Sequence, residues 1–584
     1  LKIEQIGNYD GDIISTILRN RGIEDVDLFL NPNDKDDLDA MKLANMKEGA
    51  EITLSHIVVE NHIGILVDSD ADGFSSSSII YQYLKKIKPD AKITYFLHDS
   101  KVHGLTEEIL EKIADSNIDL LIIPDAASND DEEIARIYYM GIDVVIIDHH
   151  EVEKEPRFGI LINNQLSHNE ETNKNLVGAG MAFKFCQAID SFLKANNTED
   201  LYDLVAIGQI GDASDISENE VRNLVFKGIK NINNPFIKLV LEGSFDDINT
   251  VAPKDLSFSI IPLINAVVRV GTMEEKELLF RALNGIGTDE VWIVQKKKKN
   301  KKTGKFDNIT VKQNIYEHAY DICKKVKNRQ GSLVKKVNAE IEKTLDSTGG
   351  IAIGIVPNSD VGSVTGLVAN KLVRKLQKPV ILVHYIKNNE DKNGKYIGSG
   401  RGYEKVLPSL KDWCQETGLV EFAQGHANAF GISIFEENFE DFKKKLHEVK
   451  PSEHIYRVDL HIKGKVEKQP IIEVNKNKHL FGGKVHDPLF AFTGIKVRKD
   501  FIKQRGSMIT FFENGIEFVM FSAPPGLFES LVNNFDQYIT MDFVGIPGEN
   551  NWGGRKTTRI ILEDCQRNES GEVEEEVTVD NIVF

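Results

Sequence analysis

Between residues 61 and 148 the chain alternates short apolar runs with longer stretches of helical period. Strand-like runs fall at 61–68, 92–97, 119–124 and 143–147, and helix-like runs at 75–87, 105–115 and 131–140. This alternation predicts a doubly wound parallel sheet. Three of the strands run into acids: Ile65-Leu66-Val67 leads to Asp68-Ser69-Asp70-Ala71-Asp72-Gly73, Leu120–Pro124 to Asp125, and Val144-Val145-Ile146-Ile147 to Asp148-His149-His150. Each aspartate alone reads as well as a helix cap or turn residue. In an open α/β sheet, however, ligands collect at the carboxyl ends of the strands, so these segments would deliver their acids to one edge. Carboxylates in such number repel one another unless cations sit among them, so the pattern predicts a metal site.

Elsewhere the pattern changes character. Residues 1–55 read as a polar, helical segment with a turn at Asn31-Pro32-Asn33-Asp34. Gly178-Ala179-Gly180 opens a helix where backbone can approach a phosphate or where a neighbouring helix can pack closely. Asp212 follows the apolar stretch Ala206–Gly211, and Arg269 ends Pro262–Val268. The lysines at 296–299, 301 and 302 form either a solvated loop or a contact to a phosphate backbone. Residues 311–345 predict one long helix, and Ile351–Val356 starts a second α/β lobe. Short strand segments with turns from about 455 to 567 predict a small β-barrel, followed by an acidic tail.

A net charge of −19 excludes a uniformly basic nucleic-acid coat, yet 71 Lys and Arg residues suffice for a local groove. The four cysteines, Cys186, Cys323, Cys414 and Cys565, are scattered, which suggests neither a zinc ribbon nor a disulfide framework and fits a reducing compartment. Leu1-Lys2-Ile3-Glu4 shows no basic segment followed by an apolar core, and no run approaches about eighteen apolar residues. A cytoplasmic protein without a membrane partner is expected.

Taken in order, Asp68-Ser69-Asp70-Ala71-Asp72-Gly73, Asp125, Asp148-His149-His150, Gly178-Ala179-Gly180 and Asp212 resemble the motifs of the DHH phosphoesterases. Within that superfamily the chain looks like the RecJ single-stranded-DNA-specific exonucleases, over about residues 55–565. Pro262–Arg269 is similar to the RecJ segment that places an arginine beside the metals, although a structural salt bridge would also account for Arg269. Asp360–Ala369, Gly398-Ser399-Gly400-Arg401 and Gly425–Gly431 resemble the DHH-associated domain, and Asn551-Trp552-Gly553-Gly554 the end of the RecJ OB-fold domain. The resemblance implies an α/β fold with these parts: a helical segment at 1–55, a doubly wound parallel-sheet DHH domain at 56–307 and a connecting helix at 308–346. A smaller α/β DHH-associated domain at 347–453, an OB-like β-barrel at 454–567 and the tail at 568–584 complete it. Aromatics of the barrel such as Phe511 and Phe518 read as core before they read as stacking platforms.

It further implies two divalent cations, Mn²⁺ or Mg²⁺, held by Asp70, Asp72, Asp125, Asp148, His149 and Asp212, with Asp68 a ligand or a support of one. His150 would orient a ligand or stabilise the phosphate, and Arg269 and His426 would act on the developing oxyanion. Gly398, Ser399, Gly400, Arg401 and Gly425 would bind substrate phosphate, and Lys101 would stand in for an arginine that the family carries near it. The implied activity is metal-assisted 5′ to 3′ hydrolysis of single-stranded DNA to 5′-mononucleotides, in recombination and repair. The implied enzyme is a monomer fed by a single-strand-binding protein or a helicase. A phosphodiesterase for oligonucleotides or cyclic dinucleotides, or a non-catalytic replication scaffold, are the alternatives. Three departures stand out: Ala127 where the family has glycine, Gln424 in place of the first residue of a Gly-Gly-His, and a short 98–105 segment. With the Lys- and Asn-rich composition they suit a phage or prophage member.

Overall fold

Strands β1 (Ile63–Val67), β2 (Ile93–Leu97), β3 (Leu120–Pro124), β4 (Asp143–Asp148) and β5 (Ile160–Asn163) form an all-parallel sheet in the order β2-β1-β3-β4-β5. Ile65, Leu66, Ile122, Ile123, Val145 and Ile146 are wholly buried, as expected of strands covered on both faces. The strand order reverses between β1 and β3, and a doubly wound sheet opens its ligand crevice at that point. In the computed structural model of this chain the described residues are all but 10, 167–171, 300–303, 305, 357–363, 388–393, 451–453, 483–484, 534–535, 553–554 and 569–584.

Helices α1 (Ala71–Ile87), α2 (Glu107–Ala114) and α3 (Asp131–Tyr139) connect the first four strands. Helix α1 begins four residues before the apolar periodicity suggests, because the Asp70 carboxylate caps it, accepting from the amides of Asp72 at 2.9 Å and Gly73 at 3.0 Å. Its buried Ser75 and Ser77 return hydroxyls to main-chain carbonyls, so small polar side chains lie against the sheet without unmet donors. Helices α4 (Gly178–Leu193), α5 (Tyr202–Gly211) and α6 (Ile260–Val270) follow, then an antiparallel hairpin of β6 (Trp292–Lys299) and β7 (Phe306–Gln313), then the long helix α7 (Ile315–Ile341).

The chain divides into two units. One is Asp27–Gln330 with His479–His486; the other is Leu1–Val26, Gly331–Lys478 and Asp487–Phe584. The late return of His479–His486 to the first unit is fixed by buried Arg222, which donates to the carbonyls of Phe29, Ile216 and Leu480. The second unit holds a mixed sheet of β8 (Ala352–Ile355), β9 (Val380–Ile386), β10 (Lys395–Arg401), β11 (Phe422–His426) and β12 (Ala429–Phe435), in the order β11-β12-β10-β9-β8. Helix α8 (Thr365–Leu376) packs on β9 and β10.

The 1–55 segment is not purely helical. Lys2–Gln5 is a strand, parallel to Ile455–Val458, and its alternating exposure is the period of a half-covered edge. The predicted barrel region forms a seven-stranded sheet, β13 (Leu460–Lys463), β14 (Phe490–Arg498), β15 (Lys503–Arg505), β16 (Met508–Glu513), β17 (Ile516–Met520), β18 (Tyr538–Trp552) and β19 (Arg555–Arg567). Its order is β13-β14-β18-β19-β17-β16-β15. Phe511 and Phe518 are wholly buried and stack on each other with centroids 4.9 Å apart, so they are core. Residues 360–363, Gly553-Gly554 and the acidic tail lie outside the described residues. No described helix is long and apolar enough to cross a membrane.

Candidate metal centre

The loops after β1, β3 and β4 and the end of α5 bring their acids together around one imidazole. His149 Nε2 lies 3.1 Å from Asp125 Oδ1, 3.8 Å from Asp212 Oδ2 and 3.9 Å from Asp72 Oδ2. Three groups each keep their candidate ligand atoms within 4.8 Å: Asp125, Asp148, His149 and His150; Asp72, His149 and Asp212, which shares His149 with the first; and, with no shared member, Asp68, Asp70 and His103.

Main-chain amides hold the carboxylates in place. Asp72 is buried and accepts from Gly178 N at 2.7 Å and Ala179 N at 2.8 Å, the first turn of α4. Of the two readings of Gly178-Ala179-Gly180, the phosphate approach is not met, because a carboxylate occupies the amides at this helix start, whereas close helix packing is: a Cβ on Gly208 of α5 would lie 2.3 Å from the Ala179 Cβ. A helix N-terminus favours negative charge, so Asp72 is the anion it binds. Glycine is required at 178 for close approach: a Cβ there would lie 2.5 Å from the Asp125 side chain. Asp148, also buried, accepts from the amides of His149 (2.7 Å) and Ser128 (3.2 Å) and from His150 Nδ1 (2.8 Å).

The electrostatics separate these acids. Burial, followed by the neighbouring carboxylates, pushes Asp72 and Asp125 well above the ordinary carboxylate range. Burial would raise Asp148 too, but the hydrogen bond and charge of His150 hold it below that range. The same hydrogen bond raises His150 to about 9, while burial and the His150 charge draw His149 down. His149 thus favours the neutral, ligating form and His150 the cation.

The donor set fits divalent cations. Buried Asp125 Oδ1 has no hydrogen-bond partner among the described residues despite His149 Nε2 nearby, and carboxylates repel across the space they line. Oxygen donors with one imidazole suit Mg²⁺ or Mn²⁺.

Three neighbours escaped the sequence reading. His103 Nδ1 meets Asp68 Oδ2 at 2.6 Å, while Gly104 N donates to the other oxygen at 3.1 Å. Asn163, opposite Asp148 in the sheet, donates to Ser128 Oγ and to the His150 carbonyl. Buried Lys276 donates to the carbonyls of His98 and Asp99, bracing the loop that carries His103 and the exposed Lys101. The available signal for His103 was its place after β2, the sheet neighbour of β1. Arg269, on α6, is drawn below its usual range by burial, and the Asp70 charge opposes this.

In the second unit Ser399 and Arg401 lie on β10, which is paired on both sides by β9 and β12. Its main-chain groups therefore face a ladder on either edge, and glycine at 398 and 400 provides room: a Cβ would lie 1.9 Å from the Leu382 carbonyl or 2.4 Å from the Phe430 ring. Ser399 Oγ is 3.1 Å from Thr365 Oγ1, and Arg401 Nη1 donates to the Gly400 carbonyl at 2.7 Å. Gly425 has a φ of +125° and places exposed His426 at the end of β11. Lys411, another residue missed from sequence, donates to the Gly425 carbonyl.

A parallel sheet carrying an Asp/His cluster at its reversal of strand order marks an α/β protein whose candidate site suits divalent cations. The profile described as "DHH family, N-terminal domain" matches residues 62–209. The chain is 36% identical over 579 residues, covering 96% of each protein, to YorK, an SPbeta prophage-derived protein of Bacillus subtilis (strain 168) named for single-strand DNA-specific exonuclease activity. It belongs to the DHH family. Its fold is similar to that of RecJ from Thermus thermophilus. The Mn²⁺ complex gives a TM-score of 0.66 at 18% identity over 90% of this chain and 72% of that one, and the Mg²⁺ complex gives 0.64 at 18% over 95% and 75%.

Proposed function

We propose that this chain is a single-strand DNA-specific exonuclease that hydrolyses phosphodiester bonds from the 5′ end and releases 5′-mononucleotides. The convergence of Asp72, Asp125 and Asp212 on His149 Nε2 carries the reading, and the likeness to YorK over nearly the whole chain supplies the substrate class. Asp70, Asp72, Asp125, Asp148, His149 and Asp212 would hold two divalent cations, which would supply water activation and Lewis-acid stabilisation of the phosphoryl oxygens.

The chain's own residues orient the reactants around that centre. Asp68, gripped by His103 and Gly104 N, fixes the turn that presents Asp70. His150, cationic beside Asp148, and Arg269 offer donors to a phosphate that gains charge as its bond breaks. In the second unit Arg401 and Ser399 would hold the terminal 5′ phosphate, Arg401 with a guanidinium fork that matches phosphate oxygens, and His426, exposed at the end of β11, would donate to a substrate phosphate. Lys101 would contribute only a point charge. The seven-stranded sheet would act as the OB-like part that tracks the strand, and a single-strand-binding protein or helicase would deliver it in recombination and repair.

The test incubates the protein in Mn²⁺ with an internally labelled single strand bearing a 5′ phosphate, beside Asp148→Ala. Mononucleotides released from the 5′ end by the intact site alone support the reading. Preference for very short oligonucleotides would move it to a small-substrate phosphodiesterase, and strand binding without metal-dependent product would move it to a scaffold.

A further inference from the structure

The hairpin of β6 and β7 is a two-stranded sheet with two unlike faces. On the inner face Trp292 stacks on His318 of α7, with centroids 5.0 Å apart and planes 9° from parallel. Lys296 and Gln313 both reach Asp321 of the same helix. These contacts anchor the base of the hairpin. The outer face carries the alternate residues, in cross-strand pairs Ile293 with Lys312, Gln295 with Thr310 and Lys297 with Asn308, and Phe306 opposite Lys299. Ile293 is 70% exposed and Phe306 65% exposed, and Lys297 and Lys312 are exposed with no ion-pair partner among the described residues.

An isolated hairpin with bare apolar side chains and open edges is an aggregation liability unless something covers it. Its charge says what. The outer face carries the exposed Lys297 and Lys312 and, among the described residues, no carboxylate, since Asp307 falls on the inner alternation, within a chain of net charge −19. Cationic side chains at strand spacing beside an exposed aromatic ring match a single-stranded nucleic acid, whose phosphates pair with lysines and whose unstacked bases accept ring faces. A duplex offers no bare base to Phe306, and an apolar protein partner would not call for the lysines.

We propose that the outer face of this hairpin is a second contact for single-stranded nucleic acid, engaging the strand outside the metal centre through Lys297, Lys312 and Phe306. This rests on the reading of a single strand as substrate and adds a binding surface to it.

The experiment measures fluorescence anisotropy of a long and a very short labelled oligothymidylate across a salt series. Both are tested with full-length Asp125→Asn protein, which is expected not to degrade them, carrying in addition K297E/K312E, K297Q/K312Q or F306A. Hydrolysis of the short substrate is followed with the same hairpin changes in the otherwise intact enzyme. Expected are about tenfold or greater weakening for the long strand with the charge reversal, and a salt slope shallower by about 1.4 when two phosphate contacts are lost. F306A should weaken binding about fivefold or more. Short-strand binding and hydrolysis should be unchanged. Unaltered long-strand affinity and slope in all three variants would overturn the proposal, as would an equal loss for a duplex of the same length, which would mark general attraction for polyanions. Binding of a peptide of residues 572–584 to this face with no effect on strand affinity would overturn it in favour of the acidic tail. An enzyme that cleaves no strand, yet whose long-strand binding falls with these changes, would refute the nuclease reading and leave the hairpin contact standing.

Discussion

Two five-stranded sheets carry the candidate chemistry, and they handle charge in opposite ways. At the edge of the parallel sheet the acids are buried and mutually repelling, held by amides from α4 and from the loops after β3 and β4. At β10 and β11 of the mixed sheet the groups are cationic or neutral and partly exposed, and the glycines beside them make room for neighbouring strands and rings. The first arrangement stores electrostatic strain that cations relieve; the second stores little and would wait for an anion. Buried repulsion is tolerated where a permanent ligand repays it, whereas a transient ligand is better met by groups that remain solvated without it.

The largest expected effect breaks the first half of that comparison. Asp125→Asn should lower strand hydrolysis by at least about 10³-fold, because one change removes a ligand and a charge. In chelator the same variant should be more stable than the parent by about 1 kcal/mol, since a buried repulsion disappears. A strand-hydrolysis assay in Mn²⁺ checks the first expectation and thermal denaturation in chelator the second, and a variant destabilised in chelator would contradict the strain.

A smaller effect addresses the mixed sheet. Arg401→Lys should reduce kcat/KM about tenfold for strands with a 5′ phosphate, and less for 5′-hydroxyl strands, because the fork geometry is lost while the charge remains. Mn²⁺ affinity, measured by titration calorimetry, should not move. Equal losses on both kinds of end would remove the phosphate from the explanation.

The pair Asp148–His150 sharpens the contrast through pH. The His150 folded value of about 9 lies above its unfolded value, so the metal-free fold binds the proton more tightly than the unfolded chain does. That stabilisation is complete below about pH 6.5 and is lost as pH rises through about 9. With the imidazole about half exposed, solvent screening limits it to about 1 kcal/mol. Denaturant titrations of His150→Gln in chelator should lack this slope.

Smallest is the backbone of the turn after β3. Ala127 has a φ of +74°, a left-handed conformation that a Cβ disfavours. Ala127→Gly should stabilise the fold by about 0.5 to 1 kcal/mol after the greater freedom of glycine in the unfolded chain is subtracted. A loss of stability would mean that the methyl packs well enough to outweigh the strain.

The strand ends were legible because a parallel strand buried on both faces leaves a continuous apolar run, and Asp68, Asp125 and Asp148 mark where each one stops. The metal cluster followed from topology, since such ends share one edge of the sheet. Less legible was what the glycines do. Gly178-Ala179-Gly180 read as a phosphate loop or a packing motif, and only the fold shows its amides turned to Asp72, 106 residues earlier for Gly178. His103 was invisible as a partner because nothing local ties it to Asp68, 35 residues before it.

By itself the sequence determined the alternation of strands and helices, the acids at their ends and the lysine-rich run, all of which are written in local period and composition. Tertiary structure alone decided that Asp72 faces a helix N-terminus and that Lys2–Gln5 lies beside Ile455–Val458. It also decided that Lys296 pairs with Asp321 while Lys297, the next residue, stays exposed on the outer face. The reason is physical: period and propensity act over a few residues, whereas the partner of a buried charge is whatever the packed chain brings within about 4 Å of it.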